Sequence, residues 1–343
     1  MAETPDIALV SLGTTPGLRR VDAALVDMIR AEGLSCEVLP VEVGTFAARL
    51  RRQITVTDFV EALAARRAGR QVNARAAIFS TVTAALLQRK PRVPHAVRFD
   101  TPAAVNRPGA SGAWQRARER RVLDRATLLL PQGEQAAKAA PSSTRSIPLR
   151  VPVEEIRPGP GRDIDVLAYA GYPHKRGLDL LCRAWIEGSH PGERLLIGGV
   201  DRERALDWLD RRGAPEPPGV EWIGMLPRAQ WLHRVARARV FANASRHEDH
   251  GLSQLEALAA GCALVTVPSP GAYEALPLAR ELAPELVAAD STPGELARSL
   301  RAGLDLRSRD AYAQRALELL RPFRADAIRQ VLAEQVLPAL GVR

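Results

Sequence analysis

The chain has 343 residues, 46% of them hydrophobic and 4% aromatic, enough for two packed cores and too few aromatics for base-stacking platforms on single-stranded nucleic acid. Three scattered cysteines, Cys36, Cys182 and Cys262, imply neither a disulfide framework nor a thiolate zinc site, and fit a reducing compartment. The net charge of +9 favours phosphorylated ligands or anionic surfaces, but lysine is confined to Lys90, Lys138 and Lys175, and the dispersed arginines read as a solvated surface.

Short apolar runs alternate with amphipathic stretches, the pattern of a parallel sheet covered by helices. In chain order the first half predicts strands at Ile7–Leu12, Cys36–Val41, Ala77–Ser80, Ala96–Phe99 and Thr127–Leu130. Helices are predicted at Arg19–Arg30, around Thr57–Arg67, and at Thr83–Arg89, Trp114–Leu123 and Glu134–Ala139. Pro148, Pro152, Pro158 and Pro160, with Gly159 and Gly161, then read as an interdomain linker. The alternation restarts with strands at Asp165–Tyr169, Arg194–Ile197, Val220–Ile223, Val240–Asn243, Leu264–Val267 and Leu286–Ala288. Leu178–Ile186, Arg202–Arg211, Ala229–Arg237, Leu252–Ala260 and Pro293–Ala302 are the helices between them, and Ala325–Leu340 forms a last one. The start, Met1–Asp6, lacks a basic segment followed by an apolar run, and no stretch approaches the roughly 20 apolar residues of a membrane span. The expected setting is therefore the cytoplasm, with the inner face of a membrane left open.

The informative segment is His247-Glu248-Asp249-His250-Gly251-Leu252-Ser253-Gln254-Leu255-Glu256-Ala257-Leu258-Ala259-Ala260-Gly261. Leu252, Leu255, Leu258 and Ala259 fall at helical spacing, and Gly261 suits a helix stop. The amides of Gly251, Leu252 and Ser253 then lead a helix, a natural phosphate site. Glu248 before the helix can reach sugar hydroxyls, and Glu256 inside it can accept from a ribose diol, because a carboxylate offers two acceptors and no donor. The spacing alone is common, and a surface loop followed by a helix with a solvated Glu256 would read the same.

The segment resembles the Glu-x7-Glu signature of retaining GT-B glycosyltransferases, family 4-like (glycosyl transferases group 1). Glu248, Gly251, Glu256, Ala257, Ala259 and Gly261 match in place, as do Gly271 and Glu274 in the turn after the next strand. Asp249 and His250 stand where the family has glycine and phenylalanine. Leu167–Leu181 resembles the family's segment with two cations for the donor diphosphate: Arg176 takes the lysine slot, Gly171 stands where arginine is usual, and Lys175 can supply the second charge. A solvated helix start is the alternative for both cations. Val220–Leu226, with Met225 beyond Gly224, resembles the strand and turn that flank the nucleobase. Gly13, after the first strand, resembles the glycine-rich loop that meets donor phosphates or acceptor.

At the end of the strand beginning near His95, Arg98 and Asp100 lie toward the carboxyl edge and are favoured over His95 as functional residues. A helix cap for Asp100 and a surface ion pair for Arg98 are the alternatives. The run Arg116–Arg125 reads as a solvated helix face. No metal-ligand spacing is present, so no metal is expected.

The resemblance implies a GT-B architecture: two doubly wound Rossmann-like α/β domains facing a cleft, with a C-terminal helix crossing back to the first. The expected boundaries are 1–155 for the acceptor-side domain, 156–322 for the nucleotide-sugar domain, and 323–343 for that helix. It further implies retaining, metal-independent transfer of a sugar from a nucleotide-diphosphate donor. Glu248, Lys175, Arg176, Asp100 and Arg98 would be catalytic, and Glu256, Gly251, Leu252, Ser253, Gly13, Gly171, Met225 and His247 would bind the donor. No cofactor and no nucleic-acid partner is expected. The acceptor, whether glycan, lipid or small metabolite, stays open, as does peripheral membrane contact. The alternatives are an epimerase or hydrolase of the same fold, or a non-catalytic polyanion- or membrane-binding module.

Overall fold

The computed structural model describes residues 4–42, 54–107, 109–159 and 161–343. Met1–Glu3, part of the start read above, and Pro160 of the linker reading lie outside the described residues. The chain divides into two compact units, Met1–Pro152 with Ala325–Arg343, and Val153–Arg324.

In the first unit, strands β1 (Ile7–Ser11), β2 (Cys36–Pro40), β3 (Ala76–Phe79), β4 (His95–Phe99) and β5 (Leu128–Pro131) form a sheet in the order β2-β1-β3-β4-β5. All pairs are parallel. Strands β1, β3, β4 and β5 are buried at every position, as expected where helices cover both faces. Helix Pro16–Ala31 opens with proline where no amide partner is needed, and Thr15 accepts from the Leu18 amide at 3.2 Å. The C-terminal segment belongs to this unit's core: Ile328, Leu332, Val336, Leu337 and Leu340 pack with Ile7, Leu9, Leu25 and Ile29. It runs as helix Ala325–Val331, widens over Leu332–Val336, and closes at Leu337–Ala339. Pro338 has no amide to offer the preceding turn, which accounts for the widening.

In the second unit, β6 (Ile164–Tyr169), β7 (Leu195–Gly198), β8 (Val220–Gly224), β9 (Ala238–Asn243) and β10 (Ala263–Thr266) form a parallel sheet in the order β10-β9-β6-β7-β8. The strand order reverses between β6 and β9. The chain leaving β6 turns toward β7, and the chain leaving β9 turns toward β10, so their loops part and open a crevice at the carboxyl edge.

Ten predicted strands match these to within two residues at each end. Leu286–Ala288 is the exception. It forms a single turn, Pro284–Leu286, and joins the sheet only through the Ala288 amide on the Thr266 carbonyl and one bridge at Val287. Pro284 fixes the backbone before a strand can start. The predicted Thr83–Arg89 helix stops at Ala85, where the Gln88 side chain takes the Ala84 carbonyl at 2.9 Å. Helices Ala103–Asn106, Ala275–Leu282 and Arg309–Leu319 were not predicted; the first is a single turn, and Pro277 breaks the pattern of the second.

Gly177 joins β6's loop to helix Leu178–Gly188 with φ +61°, and a Cβ there would overlap the Ala244 carbonyl oxygen. Left-handed strain and overlap together cost about 2 kcal/mol or more. Gly177→Ala is therefore expected to lower the second unit's thermal midpoint by roughly 4–8 °C, read by circular dichroism. An unchanged midpoint would show that the two loops are not in this contact.

Candidate functional site

Both loops at the β6/β9 crevice carry residues singled out by the sequence. Ala170–Gly177 brings Gly171, Lys175 and Arg176; Ala244–Gly251 brings His247, Glu248 and Gly251. The loops are fastened together. The Arg246 amide donates to the Lys175 carbonyl at 2.8 Å, and its guanidinium donates to the His174 carbonyl at 2.8 Å and to Asp179 at 2.6 and 2.7 Å. A Cβ on Gly171 would lie 2.5 Å from the Tyr169 hydroxyl, and one on Gly199 would lie 2.7 Å from the Gly171 nitrogen. At Gly171 a side chain would have to displace the Tyr169 ring, and the cations on this loop are Lys175 and Arg176.

Glu248 is buried and held from several sides. Its amide donates to the Pro270 carbonyl at 2.9 Å, and the Glu274 amide donates to the His250 carbonyl at 3.1 Å. Gly271, with φ +118°, lies so close to the Glu248 carbonyl that a Cβ would overlap it. Arg176 pairs with Glu248 Oε2. Gln254 Nε2 donates to the same oxygen at 2.8 Å, and the Ser245 hydroxyl lies 3.2 Å away. Ser245 is tied to Asn243, and Asn243 to Thr266 and Tyr273. A charged carboxylate inside a unit needs such partners.

A second pair stands beside the first. Lys175 Nζ is 2.5 Å from Asp249 Oδ2, and His247 Nε2 is 3.0 Å from Asp249 Oδ1. An ionised carboxylate can only accept, so that His247 nitrogen carries the proton. Burial works against the charge on Asp249, but His247 and Lys175 outweigh it and hold the carboxyl far below the usual range. The two cations and two carboxylates are thus paired one to one.

Helix Leu252–Ala259 begins at Gly251, whose φ of +86° and close approach to Tyr273, 2.6 Å for a Cβ, favour glycine. Its first internal bond runs from the Leu255 amide to the Gly251 carbonyl, so the amides of Gly251, Leu252 and Ser253 precede the ladder. Glu256, one turn in, is buried and gripped by Arg228 at 2.7 and 2.8 Å. Burial alone would lower the Arg228 pKa, but Glu256 and Glu154 more than offset it and raise it. Met225, just past β8, is 70% exposed and receives the Tyr169 hydroxyl at 4.0 Å from its sulfur.

Gly13, Arg98 and Asp100 belong to the first unit. Gly13, with φ +49°, accepts from Arg19 at 2.8 Å and lines a cavity of about 430 Å³ with Leu12, Asp22, Asp27 and Arg30. Arg98 was expected to face the open carboxyl edge, but it is 0% exposed. It lies 3.9 Å from Asp22 and donates to the Val21 carbonyl at 3.3 Å. In a central parallel strand both faces are covered, so a place near the strand end does not bring exposure. Burial lowers its pKa to about 10. Asp100 accepts from the Thr101 amide at 2.6 Å, and His95 is buried edge-on to Phe79. Beneath the Asp100 loop, Glu119 is buried and accepts from the Ala103 amide at 2.7 Å. Desolvation pushes its pKa up to about 7.

The sequence reading missed Arg228, Gln254, Ser245 and the role of Asp249. Nothing marks Arg228 among so many arginines. The Asp249 departure was visible, but its partner Lys175 is 74 positions away. Among the described residues, no group of three or more His, Cys, Asp or Glu side chains is placed to hold a metal ion.

Residues 164–305 match the family model described as glycosyl transferases group 1. No curated protein matches the chain. Among solved structures, sucrose-phosphate synthase from Thermosynechococcus elongatus is similar with a TM-score of 0.71 at 13% identity, over 99% of this chain and 100% of that one. HepE from Anabaena in complex with UDP-glucose gives 0.70 at 15% identity, over 97% and 99%. A glycosyltransferase from Rickettsia africae gives 0.66 at 10% identity, over 99% of both chains. The chain has the fold of these GT-B glycosyltransferases.

Glu119 supplies a pH signature for the Asp100 loop. Its folded pKa of about 7 lies above the model-compound value of 4.5, so between these the folded state binds the extra proton and stability falls as pH rises. Glu119→Gln is expected to reduce the fall of the first unit's thermal midpoint between pH 5 and 7.5. An unchanged pH profile would show that Glu119 titrates normally.

Proposed function

We propose that this chain, a group 1 glycosyl transferase in its residues 164–305, moves a sugar from a nucleotide-diphosphate donor to an acceptor hydroxyl with retention of configuration. The observation that carries this reading is the arrangement at the β6/β9 crevice. Three helix-leading amides stand between two buried glutamates, with Lys175 and Arg176 on the facing loop. HepE, a similar fold, has been solved with UDP and with UDP-glucose, which supports a nucleotide-sugar donor here.

In this reading the diphosphate meets the amides of Gly251, Leu252 and Ser253. Glu256 accepts from the ribose, and the base lies against the turn at Met225. Gly171, on the loop after β6, is assigned to the donor. Glu248 orients the sugar, with Gln254, Ser245 and Arg176 fixing one of its oxygens. His247, through Asp249, holds Lys175 in place.

As the glycosidic C–O bond breaks, negative charge grows on the leaving phosphate. Arg176 and Lys175, exchanging part of their contact with Glu248 and Asp249 for the phosphate, stabilise that charge together with the helix amides. The departing phosphate oxygen takes the acceptor's proton as the acceptor oxygen bonds to the sugar on the same face. No metal and no cofactor enters these steps. Gly13 and Asp100, at the carboxyl edge of the first sheet, are assigned to the acceptor side, with Arg98 holding Asp22 behind Gly13. The acceptor is a glycan, a lipid or a small metabolite. Among the described residues no helix is long and apolar enough to cross a membrane. We assign the protein to the cytoplasm, with its positive charge suited to contact with an anionic membrane face.

The test is nucleotide release from UDP-, GDP-, ADP- and TDP-sugars with a mixed acceptor panel. Glu248→Gln is expected to lower kcat at least about 100-fold with little change in nucleotide affinity, the scale of losing one transition-state contact. Glu256→Gln is expected to raise KM for the donor. Equal turnover in both variants and the unaltered protein would overturn the assignment.

A further inference from the structure

Glu256 presents a difficulty for any ligand that needs it. Arg228 Nη1 lies 2.8 Å from Oε2 and Nη2 lies 2.7 Å from Oε1, so one planar guanidinium spans both oxygens. The Glu256 side chain is 2% exposed, whereas that of Arg228 is 35% exposed. A ribose diol would donate to the same two oxygens, and the outer side of the carboxylate is where Arg228 stands. A second acid lies within reach: Glu154 Oε1 is 3.2 Å from Arg228 Nη2 and is 47% exposed. Arg228 is also the first residue of helix Arg228–Arg237, directly after Pro227. Its side chain can swing without disturbing a helix interior.

We propose that Arg228 is a specificity latch on the nucleoside half of the site, which opens by passing its guanidinium from Glu256 to Glu154 when a ribose diol arrives. The proposal rests on Glu256 being the ribose acceptor. In the closed state the buried carboxylate has its counter-charge and the unit is stable without ligand. In the open state two hydroxyl donors replace the guanidinium, and Arg228 stays close enough for its charge to be felt. A ligand that cannot offer two adjacent hydroxyls, such as inorganic diphosphate or a 2′-deoxynucleotide, leaves the latch shut. Apparent affinity is the intrinsic affinity reduced by the open fraction, so a latch shut nine-tenths of the time weakens binding about tenfold.

Dissociation constants for UDP, GDP, ADP and their 2′-deoxy forms would be measured by calorimetry on the full chain. Arg228→Met is expected to bind the preferred ribonucleotide about 3–20-fold tighter, and to narrow the gap to its 2′-deoxy form no further than Glu256 itself sets. Glu154→Gln, which removes the receiving charge, is expected to bind about 2–5-fold weaker. In a Glu256→Gln background, Arg228→Met should give no gain. Arg228→Lys keeps the charge but cannot span both oxygens, and tighter binding is expected from it too, which covers the case in which Arg228→Met does not fold. Weaker or unchanged binding in folded Arg228→Met or Arg228→Lys would overturn the latch, while a loss in Glu256→Gln would leave the ribose reading standing. Absence of nucleotide binding in the unaltered protein and in every variant would remove both.

Discussion

A carboxylate taken out of water must be matched, and the second unit matches Glu248 with Arg176 across two loops that leave adjacent strands in opposite directions. Much of the local structure follows from that requirement. Gly177 lets the first loop pass the end of β9, Arg246 fastens the loops, and Gly271 lets the next turn press on the Glu248 backbone. The pairing of β6 with β9 puts the loops where they can meet. Remove that order of strands and the same residues would have no common place.

The second consequence is electrical. Lys175 with Asp249, Arg176 with Glu248, and Arg228 with Glu256 are three cation–carboxylate pairs in one small region. Each pair limits the cost of burial, and none leaves a large excess of either sign. A ligand entering such a site exchanges partners more than it neutralises a bare charge. This separates the site from the dispersed arginine surface, whose exposed pairs, such as Arg315 with Glu281, contribute little.

The sequence showed what is local or periodic. Strands surfaced as apolar runs because both faces of a parallel sheet are covered, and the helix start surfaced because glycine, glutamate and apolar spacing lie within one stretch of chain. What is not local stayed hidden. Arg228 meets Glu256 over 28 positions, and Lys175 meets Asp249 over 74, with no pattern linking either pair. Arg98 misled for another reason: its place near a strand end suggested access, but the covering helix Pro16–Ala31 seals it against Asp22. Leu286–Ala288 had the composition of a strand, and only Pro284 in front of it told otherwise.

The central claim is that the amides at Gly251–Ser253 and the Arg176 guanidinium receive the donor diphosphate. The most direct measurement is a crystal structure of the full chain soaked with its preferred nucleoside diphosphate. The account predicts phosphate oxygens within hydrogen-bond distance of those amides and of Arg176, with the ribose on Glu256. Phosphates bound elsewhere in the second unit, with the Gly251–Ser253 amides facing only water, would contradict it.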